Sequence, residues 1–360
     1  MLMCRVPARL RIPETPVGVR DASSVRLMND ASRGQGYRGA LPWAFGFLIL
    51  CALIAFVLHV GTIARFVDLA RQARPEWLAA AFCAQAATYM SCALVWRQVL
   101  RHAAHPRSLR TLLPLAVAKL FADHAVPSGG ASGTVLVVAG LQRQGVPLSL
   151  AMGTLLVGLV SFYAAYLAIA LVSVGILWGL HKLDVAILAL VTAFAAIAVI
   201  FPGAAIWLTR RIDRITLPRW ATRLRWVRIL QKALAEAPLD LLRNPLLMAE
   251  AVALQLSIIL LDAATLWIAF RALGEPVTLW RALVSFVMAS VAADVAPVPL
   301  GLGTFESASV AMLDLLGVGI EIALAATLLL RGFTFWLPML PGLWLARREI
   351  GNGSKTDIAS

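Results

Sequence analysis

Eight ionisable side chains stand inside otherwise apolar stretches of this sequence: Lys119, Asp123, His124, Asp262, Asp294, Glu306, Asp314 and Arg331. A charge in apolar surroundings is costly, so such residues face a cavity or a partner and mark paths for ions, protons or polar substrates. Lys119 and Asp123 are four apart, which puts them on one helix face as a pair. That pair either neutralises itself or biases the charge of a bound headgroup. Arg331 needs an acid, Glu306 or Asp294, and two roles fit it: a structural ion pair, or a clamp on phosphate, since the guanidinium fork suits both. His124 reads as a packed polar residue or as a proton carrier.

Most of these residues lie beside two segments that cannot continue a helix. The first, HAVPSGGASGTV, spans His124–Val135; the second, DVAPVPLGLGTFE, spans Asp294–Glu306. Pro127 with Gly129 and Gly130 ends one helix, and Ser132 or Thr134 is placed to cap the next. Pro297, Pro299, Gly301 and Gly303 form the second break, with Thr304 as the expected cap and Glu306 in the first turn. A helix that starts inside a membrane points its positive end inward, where it suits an anion such as a lipid phosphate. Gly and Pro also serve helix packing in membranes, which is the plainer reading of either break alone.

The setting of these breaks is a chain of 360 residues, 60% hydrophobic and 14% charged. Its mean hydropathy is +0.82. Apolar runs predict transmembrane helices at Leu41–Ile63, Trp77–Trp96, Leu148–Leu180, Val185–Leu208, Leu246–Phe270 and Ile322–Leu345. The fold class is therefore all-α and polytopic, with a membrane domain over 39–348. A basic tail, 1–38, precedes it and reads as disordered and cytoplasmic; a short tail, 349–360, follows. Cys4, Cys51, Cys83 and Cys92 read as small core residues.

Arginine and lysine set the orientation. The tail carries seven arginines, and the segment 209–245 carries nine basic residues. Placing both inside, with the C-terminus, puts the termini in the cytoplasm. Trp220, Leu224, Trp226, Ile229 and Leu230 interleave the basic residues of 209–245, as in an amphipathic helix lying on anionic inner-leaflet lipids. With this orientation, 111–142 must enter and leave from the cytoplasmic side and 282–316 from the outer side. Each would be a re-entrant pair of half-helices, and together an inverted repeat. A shift of 172 residues pairs Val126 with Val298, Pro127 with Pro299, Gly129 with Gly301, Leu141 with Leu313, Gly145 with Gly317 and Val146 with Val318. Interrupted segments at matching places in two halves are the best pointer to a transport site.

The net charge of +13 does not argue for nucleic acid, because no binding module accompanies it and the charge follows topology. No nucleophile elbow, phosphate-binding loop, zinc motif or other cofactor signature occurs, so neither enzyme chemistry nor a cofactor or metal is indicated.

The segments DHAVPSGGASGTVLVVAGLQRQGVP and APVPLGLGTFESASVAMLDLLGV, with ALAATLLLRGFTFWLPMLPGLWLARR after them, resemble the lysylphosphatidylglycerol synthase transmembrane region, a flippase-like family. The resemblance runs from about Pro42 to Arg348. It implies a protein of the bacterial inner membrane whose relatives move aminoacylated phospholipids between leaflets. Those relatives carry a C-terminal aminoacyl-transferase domain, and this sequence stops at Ser360 without one, so synthase activity is not implied. By matching positions the resemblance marks Asp123, Pro127, Ser128, Gly129, Gly130, Gly133, Pro299, Gly301, Gly303, Glu306 and Arg331 as site residues; Lys119 and Asp294 join them on their own position. Leu300 stands where the family more often has glycine, which weakens an anion cradle at that break. The expected function is translocation of a phospholipid or lipid-linked headgroup. The alternatives are a membrane enzyme acting on lipid-linked sugar or polyprenyl substrates, as for archaeal relatives, and a scaffold that transports nothing.

Overall fold

Why the chain folds as it does is clearest at one pair of long helices. Helix α1, Pro75–His102, and helix α7, Pro245–Ala272, lie antiparallel. Each begins with proline in its first turn, where the missing N–H costs nothing. Polar contacts stitch them from end to end. The Arg74 N–H donates to Ala272 O at 3.0 Å at one end. Ser257 Oγ donates to Ser91 Oγ at 3.1 Å further along. Arg101 and Glu250 face each other at 3.8 Å near the other end.

The computed structural model describes residues 74–125, 131–212, 234–296, 298 and 301–336. After α1 come α2, Leu109–Ala125; α3, Ala131–Arg143; α4, Leu148–Gly179; and α5, Val185–Arg211. A single turn, α6, Asp240–Arg243, leads into α7. Then follow α8, Leu279–Val295; α9, Thr304–Leu315; and α10, Ile320–Arg331, which passes into a π-helical turn, Gly332–Trp336. All regular structure among the described residues is helical.

Four of these helices, α1, α4, α5 and α7, are long and apolar enough to cross a membrane. They match the expected spans closely, and α5 runs on through Arg211 into the basic segment 209–245. The helices beside the breaks are shorter. With 13 residues in α3 and 12 in α9, they extend roughly 20 and 18 Å at 1.5 Å per residue, against a hydrocarbon core of about 30 Å. They have the length of half-helices.

Each short pair ends in the same turn. The Gly145 N–H donates to Gln142 O and the Val146 N–H to Leu141 O; Gly317 bonds Asp314 and Val318 bonds Leu313 in the same way. Both glycines are left-handed, at φ +76° and +83°. This is the Schellman pattern, and its hydrophobic clasp is present too: Leu141, Val146, Leu313 and Val318 are all buried. The same pair of bonds also closes α1, α4 and α7, at Ala104, His181 and Gly274, so the turn is general to these helices.

One core gathers α4, α5 and α7–α10 around Phe194, Leu266, Phe270, Met288, Leu313 and Leu330. A second packs α1–α3 around Leu100, Leu112 and Leu141. α4 touches both, and α7 binds α1, α4, α8 and α10. Cys83 is exposed on α1 rather than a core residue, and Cys92 is half-buried. The span at Leu41–Ile63, the tails, the domain limits at 38/39 and 348/349, and most of the basic segment 209–245 lie outside the described residues.

Candidate functional site

The first break is closed by a carboxylate. Asp123 sits on the last turns of α2, and its Oδ2 lies 2.5 Å from Lys119 Nζ. Its other oxygen, Oδ1, accepts the Gly133 backbone N–H at 2.9 Å. Asp123 therefore satisfies one of the free N–H groups that every helix start leaves, and it does so from the helix before the break. The expected cap, Ser132, is already inside α3; its hydroxyl donates to Ala122 O at 2.7 Å instead. Thr134 is likewise inside the helix. Two bonds thus tie the end of α2 to the start of α3. Glycine at 133 is required by this closeness, because a Cβ there would stand 2.2 Å from Asp123 Oδ1.

The second break uses the same device with the parts rearranged. Gly303, at φ +82°, is the N-cap of α9, and Thr304 is its first helical residue, not its cap. The Gly303 N–H donates to Glu306 Oε2 at 2.7 Å. Glu306 Oε1 lies 2.6 Å from Arg331 Nε, with both side chains largely withdrawn from the surface, at 4% and 15% exposure. Arg331 Nη2 also donates to Gly301 O at 3.3 Å. Its guanidinium carbon lies 4.3 Å from the centre of the Phe305 ring, a cation–π contact. So Glu306, not Asp294, is the acid that Arg331 meets.

Gly301 has its own reason. Its φ is +60°, and a Cβ would fall 2.6 Å from the Ala293 Cβ on α8. The loop lies directly on the helix. The Thr304 hydroxyl donates to Gly301 O at 3.0 Å. Beneath the break, Ser309 Oγ meets Thr327 Oγ1 at 2.9 Å and Ser285 Oγ donates to Ser309 O at 3.1 Å. These small hydroxyl residues join α8, α9 and α10, a role that reading the sequence missed.

The structure thus brings together Lys119, Asp123 and Gly133 at one break, and Gly301, Gly303, Glu306 and Arg331 at the other. Pro127, Ser128, Gly129, Gly130, Pro297, Pro299 and Leu300, and the side chain of His124, lie outside the described residues. Asp314 is exposed on the last turn of α9.

Asp294 belongs elsewhere. It stands exposed in the last turn of α8, away from the Arg331 pair. Asp262 lies on α7. Asp262 Oδ1 accepts Gln85 Nε2 of α1 at 2.7 Å, and the same nitrogen reaches Thr265 Oγ1 at 3.3 Å. Tyr89 lies one helical turn beyond Gln85. Its hydroxyl is buried with no hydrogen-bond partner among the described residues. Gln85 and Tyr89 were not singled out in the sequence. Only the rule that a mid-span aspartate needs polar company could have pointed to them.

Long apolar spans, short helices after the Pro/Gly breaks and charged side chains tied to those breaks define a polytopic membrane protein. The match to the family described as lysylphosphatidylglycerol synthase TM region covers residues 43–342, and the chain belongs to that family. It is a family of membrane domains connected with lipid handling. Comparison with curated proteins finds no significant match.

Proposed function

We propose that the protein translocates a phospholipid or lipid-linked headgroup between the leaflets of a bacterial inner membrane, with both termini cytoplasmic, and that it is not an enzyme. The observation that carries this reading is the paired design of the two breaks. At each, a carboxylate bridges a cation and the backbone N–H of a helix start: Asp123 between Lys119 and Gly133, Glu306 between Arg331 and Gly303. An anion seat of this kind is what a phosphate needs, and here the protein's own carboxylate fills it. A lipid phosphate would reach Arg331 by exchanging with Glu306. The guanidinium could then take the phosphate bidentately, while the protonless carboxylate turned to a cationic headgroup or to water.

In this reading the half-helices enter from opposite faces as an inverted repeat. Irregular backbone at depth survives only where protein or water surrounds it, so the breaks line a polar path while acyl chains stay in the bilayer. The basic segment 209–245 would rest on anionic inner-leaflet lipids. The test is reconstitution in liposomes containing headgroup-labelled fluorescent phospholipids, with dithionite added outside. Quenching beyond the half that empty liposomes lose, abolished in Arg331→Ala at equal protein incorporation, is the expected result. Quenching no greater than in empty liposomes for every headgroup would overturn it, and conversion of an added lipid-linked sugar would favour the enzyme reading.

A further inference from the structure

Two arginines at one rim of the bundle are held differently from the cations at the breaks. Arg271 lies in the last turn of α7, and Arg281 is the third residue of α8. A short connection, 273–278, joins those helices. α1 begins beside it, with the Arg74 N–H bonded to Ala272 O at 3.0 Å. Each guanidinium lies on a tryptophan. Arg271 Cζ is 5.1 Å from the centre of the Trp267 ring, and Arg281 Cζ is 5.5 Å from that of Trp280. Trp267 is itself fixed: its Nε1 donates to Val277 O at 3.0 Å, and its ring meets Trp77 of α1 edge-on at 5.9 Å.

The charges of these arginines are left open. Both Nε atoms are buried without a hydrogen-bond partner, whereas the terminal nitrogens remain accessible. Among the described residues neither side chain forms an ion pair, and the acids of this rim, Glu76 and Glu275, meet neither. A cation suits the last turn of α7, where the helix end is negative. At Arg281 the same field is unfavourable, because the first turn of α8 presents free N–H groups and positive charge. That turn holds no acid, and the Thr278 side chain does not cap it. Positive groups gathered without a counter-charge call for an anion.

The depth of the rim names the anion. α1 and α7 have 28 residues each, about 42 Å at 1.5 Å per residue, against a hydrocarbon core of roughly 30 Å. Their ends therefore stand at headgroup level, the level that tryptophans at span ends mark. The anion met there is the phosphodiester of a phospholipid.

We propose that Arg271 and Arg281 form a seat for phospholipid phosphate at this rim, at the opposite end of α8 from the second break. The terminal nitrogens take the phosphate oxygens, while Trp267 and Trp280 hold the guanidinium planes in place. The seat does not require that the protein move lipid.

The test is photocrosslinking in micelles of a sugar-headgroup detergent, with phosphatidylglycerol carrying a diazirine next to its glycerol, followed by peptide mapping. Label is expected on peptides covering 267–281. It should fall roughly tenfold there in the double variant Arg271→Gln, Arg281→Gln, as for loss of a charge-assisted contact, with label elsewhere on the chain unchanged. Arg271→Lys with Arg281→Lys keeps the charge and loses the fork, and should lose label severalfold; it keeps the test decisive should the glutamine variant not fold. Diacylglycerol with the same diazirine has the chains without the phosphate, and equal labelling of 267–281 by it would overturn the proposal. So would undiminished label in the variants, or its removal by excess inorganic phosphate, which would mark a site for free anions. A labelled rim in a protein that quenches no more than empty liposomes would sink the translocation reading and leave the seat standing.

Discussion

Gly133→Ala tests the closure of the first break without touching a charge. The new Cβ would lie 2.2 Å from Asp123 Oδ1, 2.6 Å from its Cγ and 2.7 Å from Oδ2, so the whole carboxylate must withdraw. It would give up the Gly133 N–H, held at 2.9 Å. A hydrogen bond to a charged group contributes roughly 1.5–3 kcal/mol, and the partial exposure of this one argues for the lower half. Alanine in a helix returns up to about 1 kcal/mol over glycine. The net expectation is a loss of about 1 kcal/mol. The assay is equilibrium unfolding in mixed micelles, run as a double-mutant cycle with Asp123→Ala. Once the carboxylate is gone, Gly133→Ala should be neutral or stabilising, so the coupling should be roughly 1.5–2 kcal/mol. Equal destabilisation in both backgrounds would refute the reasoning, because the clash would then lie with some group other than Asp123.

Removing either partner of the Arg331–Glu306 pair leaves a charge with little access to water, so Arg331→Ala and Glu306→Ala should each cost about 3–5 kcal/mol. The double variant should cost clearly less than their sum in the same unfolding assay; strict additivity would show that the pair is not coupled. Gly301→Ala should destabilise by at least about 1 kcal/mol, since φ is +60° and Ala293 blocks the new methyl. Adding Ala293→Gly should recover only part of that loss, because it relieves the contact and not the backbone strain.

How far the site could be read from the sequence differs from residue to residue. Lys119 and Asp123 were legible because a spacing of four is a local property of any helix. That a mid-membrane Arg331 must have an acid was also legible, since the cost of a buried charge does not depend on the fold. The choice between Glu306 and Asp294 was not, because it depends on how α9 and α10 pack. The caps were misread for a related reason. Ser132 and Thr304 have the right side chains in the right place, but each lies inside its helix. The helix starts are closed instead by Asp123 and Glu306, whose reach across or along the break is set in three dimensions.

The sequence by itself determined the class of this protein. Its apolar runs, their lengths and the two Pro/Gly breaks follow from the rise of a helix and the thickness of a bilayer, quantities that need no tertiary contact. It also placed glycine at 145 and 317, whose left-handed turns are local. The tertiary structure alone decided which charges meet, why Gly133 and Gly301 have no room for a methyl, and that Gln85 and Asp262 are partners. Those two residues come from α1 and α7, and a side chain's partner on another helix is fixed by packing angle and register, which a linear pattern does not encode.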